Sequence, residues 1–314
     1  MRVAVTGCAG LIGSHLAAEL LARGDEVVGV DDLCTGRRSH VERLQSFDGF
    51  RFVEGDVCDP GSWTATGPVD AVWQLASPAS PVDFATIPER ILRAGSIGTL
   101  LGVEHAIGCG ARYLQASTSE VYGEPLVHPQ PEEYRGNVST VGPRACYDES
   151  KRFAEAVVTT ATRSRGLDGA IARIFNTYGP GMRLDDGRVI PAFVTQALRG
   201  EPLTIHGDGA QTRSFCFVDD QVRALVRLLD STEAGPINIG NPVEQRIVDV
   251  ARLVVELTGS TSDVVHIALP QDDPTRRRPD IDAAQRRLGW EPSVDLRAGL
   301  TAVIEDFSQR LARA

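Results

Sequence analysis

Short apolar runs alternate with longer stretches of helical period along the first half of the chain. Arg2-Val3-Ala4-Val5-Thr6 reads as a strand, and Ser14 to Arg23 as a helix. Further strand-like runs are Glu26 to Val30, Phe50 to Glu54, Ala71 to Ala76 and Tyr113 to Ala116. Arg90 to Ile107 and Tyr147 to Arg165 carry the spacing of long helices. Strands that alternate with helices imply a parallel sheet with its ligands beyond the carboxyl ends of the strands. The expected fold is α/β: a Rossmann-type doubly wound parallel sheet over residues 1–178 and a smaller C-terminal α/β substrate domain over 179–314. Part of 215–242 is a candidate to return to the first domain. In the second half, Val189 to Arg199, Val248 to Thr258, Ala283 to Leu288 and Leu296 to Ala312 read as helices. Pro202 to His206 and Pro236 to Gly240 read as short strands.

Composition narrows this picture mainly by exclusion. The 314 residues are 42% hydrophobic and 24% charged, ordinary values for a globular protein large enough for one big domain or two. The net charge of −10 argues against a nucleic-acid or membrane-surface partner. No apolar run reaches the ~18 residues of a membrane span. The chain enters a strand pattern at once, which leaves no signal peptide to expect. Six scattered cysteines without a Cys-x2-Cys pair fit a reducing cytoplasm, not a zinc site or a disulfide framework. The six histidines form no metal-like cluster, so no metal is expected.

Candidate chemistry begins at the first turn, Gly7-Cys8-Ala9-Gly10-Leu11-Ile12-Gly13. Small residues here let backbone approach a pyrophosphate at a helix N-terminus, where free N–H groups and the macrodipole favour anions. Asp31 ends the second strand about twenty residues on, placed to accept both ribose hydroxyls and to repel a 2′-phosphate. That favours NAD over NADP, although Arg37 and Arg38 lie just beyond. Asp56-Val57 ends the third strand, where an acid can reach the adenine amino group. Leu75-Ala76 ends the fourth and runs into Ser77-Pro78-Ala79-Ser80-Pro81, where two prolines predict a fixed loop without helix.

The fifth strand delivers Ser117-Thr118-Ser119-Glu120, and Tyr147 and Lys151 stand four apart on one helix face. A free phenol titrates near ~10 and a catalytic base works best near ~7, so about 4 kcal/mol of selective phenolate stabilisation is required. A nearby ammonium and a bound cationic nicotinamide ring are the groups expected to supply it. The Thr118 hydroxyl would hold a substrate alcohol while Tyr147 removes its proton.

With Thr-Gly-x-x-Gly-x-x-Gly, the Ser/Thr strand end and Tyr-x3-Lys in this order, the chain resembles the extended short-chain dehydrogenase/reductases. More closely it resembles the UDP-glucuronic acid decarboxylases. The stretches that carry this are 75–81, 116–123, 141–149, 172–177, 186–189 and Gln271-Asp272-Asp273-Pro274. It departs from the family at Gln74 (usually His), Gly95 (usually Asn) and Asp32 (usually Asn), all on the cofactor side. The resemblance implies NAD-dependent conversion of UDP-glucuronate to UDP-xylose, through oxidation at C4, loss of carbon dioxide and re-reduction. It implies Thr118, Ser119, Glu120, Tyr147, Lys151 and Arg277 as catalytic residues, with Arg277 placing the substrate carboxylate. Gly7, Gly10, Leu11, Ile12, Gly13, Asp31, Asp56, Val57, Leu75, Ala76, Tyr147 and Lys151 are the cofactor candidates. Pro81, Asn176, Arg188, Val189, Thr204, Arg213 and Arg277 are the substrate candidates, Arg213 for the diphosphate, since guanidinium forks match phosphate oxygens. Nucleotide-sugar dehydratases of the 4,6- or 5,6-type and 4-epimerases are the competing chemistries, and a catalytically silent NAD-binding sensor the reading from another class. A C6 carboxylate is expected to separate the decarboxylases from both competitors. The basic run Pro274 to Asp280 is expected as a proline-stiffened loop. The resemblance also implies a homodimer through Arg90–Ile107 and Tyr147–Arg165.

Overall fold

The computed structural model describes residues 1–269 and 276–313. The expected Gln271 to Pro274 stretch therefore lies outside the described residues. Seven parallel strands form the central sheet, in the order Ile237–Ile239, Gly169–Ile174, Arg112–Thr118, Ala71–Gln74, Arg2–Thr6, Glu26–Asp31 and Phe50–Glu54. Chain order reverses between Arg2–Thr6 and Ala71–Gln74, which opens a crevice at the strands' carboxyl ends. The inner strands are apolar on both faces because helices cover both, as a parallel sheet requires. On one face Leu16, Leu20, Leu225 and Leu228 pack against Val3, Val5 and Leu114. On the other, Val103, Ala106, Val158 and Ala161 pack against Val72, Tyr113 and Ile171.

The strand Ile237–Ile239 and the helix Val218–Asp230 belong to this sheet layer although they follow residue 178 in sequence. The smaller lobe holds the helices Val189–Arg199 and Ile247–Thr258. Its strands are the parallel pair Leu203–His206 with Val264–Ile267 and a three-stranded sheet of Glu244–Arg246, Thr212–Ser214 and Arg276–Arg277. Arg277 is thus not in a free loop. It pairs in parallel register opposite Arg213, so two distant segments aim their guanidiniums from adjacent strands.

Three local departures from expectation have physical causes. Pro81 does not exclude helix: it is the first residue of the helix Pro81–Thr86, where its missing N–H is no loss, and Ser80 caps it by accepting from the Val82 N–H at 3.3 Å. The long helix expected over Arg90 to Ile107 begins at Pro88 and carries a π-helical turn, Ala94–Gly98, before continuing as Thr99–Cys109. At that turn a Cβ on Gly95 would stand 2.6 Å from the Ser150 Cβ, so Gly95 admits the close approach of the helix Ala145–Arg165. That helix ends at Gly166 in the left-handed conformation (φ 70°), a geometry glycine adopts without steric cost.

Candidate active site

The carboxyl ends of the sheet and the smaller lobe enclose one cavity of about 570 Å³. Gly7, Gly10, Leu11, Ile12 and Gly13 line one end of it, and Arg188, Val189, Arg213 and Arg277 the other. Thr118, Ser119, Glu120, Tyr147 and Lys151 stand between them, with Leu75, Pro81 and Asn176 along the walls. Motifs spread over more than 270 residues of sequence therefore share one space.

The cradle suits a dinucleotide. Gly7 is left-handed (φ 69°), and a Cβ there would press on the backbone of Ala76 at 2.9 Å. A Cβ on Gly13 would collide with the Gly7 carbonyl, so only glycine lets the helix Leu11–Ala22 start this close to the strand. The first-turn N–H groups of that helix lack intrahelical acceptors and face the cavity end, as a pyrophosphate requires. Asp31 is buried and accepts from the Ala9 N–H (2.9 Å) and the Leu33 N–H (2.8 Å). Burial raises its pKa against those two hydrogen bonds. It thus braces the glycine turn, and each oxygen retains a lone pair for a ribose hydroxyl. Of the two arginines that would welcome a 2′-phosphate, Arg38 pairs with Glu54 at 2.7 Å, and Arg37 lines the cavity and donates to the Gly181 carbonyl at 3.2 Å.

Gln74 and Asp32, two of the sequence departures, have partners here, although Gln74 Nε2 is buried with no hydrogen-bond partner among the described residues. Gln74 Oε1 accepts from the Thr6 hydroxyl at 2.7 Å, and Thr6 Oγ1 accepts from the Leu75 and Ala76 N–H groups at 3.1 Å each. Asp32 pairs with Arg90 at 2.5 Å. Asp31, Asp56, Val57 and Ala76 stand outside the cavity lining. Asp56 accepts from the Cys58 N–H at 2.8 Å, and the Val57 carbonyl accepts from the Trp63 indole at 2.8 Å. Thr204 is also outside the lining, accepting from Gln196 Nε2 at 2.9 Å; His206, on the same strand, faces the cavity.

The Tyr–Lys pair is placed as its spacing predicts, but its electrostatics differ. Lys151 Nζ donates to the Ala116 carbonyl at 2.9 Å and lies 5.6 Å from the centre of the Tyr147 ring. Burial lowers the Lys151 pKa to about 8. Burial also pushes the Tyr147 phenol up to about 12, despite the neighbouring Thr118 hydroxyl and Arg188. The groups around the phenol thus raise its pKa on balance. Phe84 stacks on Tyr147 with ring centres 5.0 Å apart and fixes the plane of the phenol.

Glu120 and Arg277, given separate tasks by the sequence, form an ion pair through Arg277 Nη1. Arg144 Nη2 holds the other Glu120 oxygen at 2.8 Å. Burial alone would raise the Glu120 pKa; the guanidiniums of Arg277 and then Arg144 outweigh it and hold the carboxylate at about 2. Arg277 is 3% exposed, and its Nε and Nη2 have no hydrogen-bond partner among the described residues. Both atoms are buried, and Arg277 as a residue lines the cavity. Arg188 is bound to Asp186 through Nε (2.9 Å) and Nη2 (2.7 Å). Behind the Thr118–Tyr122 segment, Arg173 pairs with Glu155 at 2.8 Å and donates to the Tyr122 hydroxyl at 2.9 Å. Sequence reasoning assigned no task to Arg144, Phe84 or Asp186. Arg144 and Asp186 lie inside the stretches that carried the resemblance, which was their only signal; Phe84 had none.

A cavity with a dinucleotide cradle at one end, arginines at the other and a Tyr–Lys pair between defines an oxidoreductase-type sugar-nucleotide enzyme class. The model of the NAD dependent epimerase/dehydratase family matches residues 3–240, and the chain belongs to that family, whose cofactor is NAD. It is 47% identical over 311 residues to the UDP-glucuronic acid decarboxylase 2 of Arabidopsis thaliana, covering 99% of this chain and 69% of that one. The structure superposes with a TM-score of 0.90 on the UDP-glucuronic acid 4-epimerase of Bacillus cereus in complex with UDP-glucuronic acid and NAD. That pair is 27% identical and covers 99% and 100% of the two chains. A dTDP-glucose 4,6-dehydratase of Streptomyces venezuelae with NAD bound gives a TM-score of 0.92 at 29% identity, covering 100% and 98%. The epimerase corrects one expectation: an epimerase that binds a carboxylated sugar exists, so recognition of a C6 carboxylate does not by itself separate a decarboxylase from an epimerase. No helix among the described residues is long and apolar enough to cross a membrane.

Proposed function

We propose that this protein is an NAD-dependent UDP-glucuronate decarboxylase that forms UDP-xylose. The observation that carries the proposal is Glu120, anchored by Arg277 and Arg144 directly after Thr118 and Ser119 at the cavity wall. An epimerase leaves C5 and C6 untouched and has no task for an anchored acid there. The 47% identity to a decarboxylase, against 27% to the carboxylate-binding epimerase, supports the same choice.

When bound, NAD supplies a reversible hydride acceptor for C4 of the sugar and a positive charge beside Tyr147. Tyr147 takes the proton of the C4 hydroxyl, held in line by Thr118, and Lys151 stabilises the phenolate. Once C4 is a ketone, the C6 carboxylate is β to it, and carbon dioxide leaves with its electron pair delocalised into an enolate. Ser119 and Glu120 order the water that reprotonates C5, and Tyr147 returns its proton to the C4 oxygen. The spare Arg277 donors orient the carboxylate. A tight pair there would stabilise the ground state and slow its loss, so contact to one edge of the guanidinium serves better. Arg188, Arg213 and Asn176 hold the UDP portion, with residues 1–178 mainly binding cofactor and 179–314 mainly binding the sugar nucleotide.

The protein works as a homodimer on this reading. Leu92, Leu100 and Phe153 are 44%, 45% and 43% exposed on the helices Pro88–Arg93, Thr99–Cys109 and Ala145–Arg165, apolar side chains that a second copy would cover. The test of function is trapped carbon dioxide from UDP-glucuronate labelled at C6. Release of label supports the decarboxylase, and its complete retention in a turned-over nucleotide sugar refutes it.

A further inference from the structure

Asn238 stands on the edge strand Ile237–Ile239, in register with Arg173 on the neighbouring strand, and has no part in the mechanism above. It is fully buried and lies outside the cavity lining, yet its whole side-chain amide is bonded. Oδ1 accepts from the Tyr122 hydroxyl at 2.7 Å. Nδ2 donates to the Gln130 carbonyl at 2.9 Å and to the Asp280 carbonyl at 3.1 Å. These partners fix which way the amide points. Two carbonyls need its N–H donors, and the Tyr122 oxygen already receives an Arg173 N–H at 2.9 Å, so the phenol proton goes to Oδ1.

The two sides of this amide lead to the two ends of the Glu120–Arg277 ion pair. Tyr122 closes the turn Ser119–Tyr122, two residues after Glu120. On the other side, Gln130 is also fully buried and grips the chain directly after Arg277. Its N–H donates to the Arg278 carbonyl at 2.9 Å, its Oε1 accepts from the Arg278 N–H at 2.9 Å, and its carbonyl accepts from the Asp280 N–H at 3.0 Å. The Ser214 hydroxyl holds the Arg277 carbonyl from the adjacent strand at 3.2 Å. One amide on a strand of the central sheet thus joins the segment that carries Glu120 to the segment that carries Arg277. Side chains supported from sheet strands hold a geometry more closely than those on loops. We propose that Asn238 is a positioning residue: it sets Glu120 against Arg277, and so governs the steps at C5 and C6 without touching the substrate. The inference rests on the decarboxylase reading above. Tyr147 and Lys151 are placed by the helix Ala145–Arg165 and the Ala116 carbonyl, and the Asn238 amide bonds to neither, so oxidation at C4 does not depend on it.

Two variants test this. Asn238→Leu keeps the shape and removes every bond of the amide; Tyr122→Phe removes only the bond on the Glu120 side. Each is mixed with UDP-glucuronate in a single turnover of the NAD-loaded protein. The rise of NADH absorbance reads oxidation at C4, and trapped carbon dioxide reads the step at C5 and C6. The NADH rise should stay within about twofold of the parent rate, because distant sites act independently. Carbon dioxide release should slow by about 10- to 100-fold, the cost of a small misplacement, so that NADH accumulates before it is consumed. A merely structural role would lower the melting temperature and shrink both signals in proportion, with both rates at the parent value; that result overturns the proposal. Equal slowing of the two steps overturns it as well. Carbon dioxide release at the parent rate in Tyr122→Phe overturns it even where Asn238→Leu does not fold. A parent protein that releases no carbon dioxide from UDP-glucuronate overturns the decarboxylase reading and the proposal together.

Discussion

Arg277→Gln separates chemistry from folding more sharply than any other change. The side chain is 3% exposed, donates to Glu120 through Nη1 and keeps two donors unpartnered. Breaking a buried ion pair outright costs about 3–5 kcal/mol, because it strands a charge. Here Glu120 retains Arg144 at 2.8 Å, so the loss should sit at or below the lower end, about 2–3 kcal/mol. At roughly 2–4 °C per kcal/mol for a large domain, the melting temperature should fall by about 5–10 °C. Loss of a charged contact to the substrate carboxylate removes a further ~2–4 kcal/mol of transition-state stabilisation, or roughly 30- to 1000-fold in kcat/KM. Affinity for UDP, which has no sugar, should stay within about twofold of the parent, an estimate that follows from additivity of distant sites. The variant also loses the largest influence that holds the Glu120 pKa down at about 2. A depressed carboxylate contributes stability that is full above its unfolded pKa and is lost as pH falls through the folded one. With the folded pKa raised, acid unfolding of Arg277→Gln should begin at a higher pH than in the parent. The assay is carbon dioxide release, UDP affinity and thermal and acid melting on one preparation. A folded Arg277→Gln protein that decarboxylates at the parent rate refutes the assignment.

Four further outcomes are expected. Tyr147→Phe should lower turnover by about 10²–10⁴-fold while binding of UDP persists, measured by product formation and calorimetry. Asp31→Ala should weaken NAD and also lower the melting temperature, since the N–H groups of Ala9 and Leu33 lose their acceptor; NADP binding equal to NAD in the parent protein would contradict the reading of Asp31. Gly95→Ala should destabilise by about 1–3 kcal/mol through collision with Ser150, and Ser150→Gly should restore most of it in a double-mutant cycle. Phe153→Glu should turn a dimer into a monomer by light scattering.

Elements with local causes were legible in the sequence. The strand Phe50–Glu54 and the helix Val189–Arg199 fall where their apolar periods place them, and the Tyr–Lys spacing puts both groups on one cavity wall. Partnerships across the chain were not. Glu120 and Arg277 are 157 residues apart, and nothing in either stretch shows that the acid and the guanidinium neutralise each other. The surroundings of Tyr147 were not legible either: spacing announced the ammonium, but only the fold shows that Lys151 also donates to the Ala116 carbonyl and that burial pushes the phenol up to about 12. Gly95 stood out as a departure from the family, and its reason, the Ser150 side chain in the adjoining helix, exists only in three dimensions. Pro81 was misread because the rule against proline in helices spares the first position, where Ser80 supplies the cap.

The most direct test of the central claim is mass spectrometry of the nucleotide product from UDP-glucuronate turned over in deuterated water. The account predicts a UDP-pentose lighter by one carbon dioxide and carrying one solvent deuterium at C5, the position that an enolate must reprotonate. A product that keeps the full mass of the acid, or one that has lost only water, would contradict it.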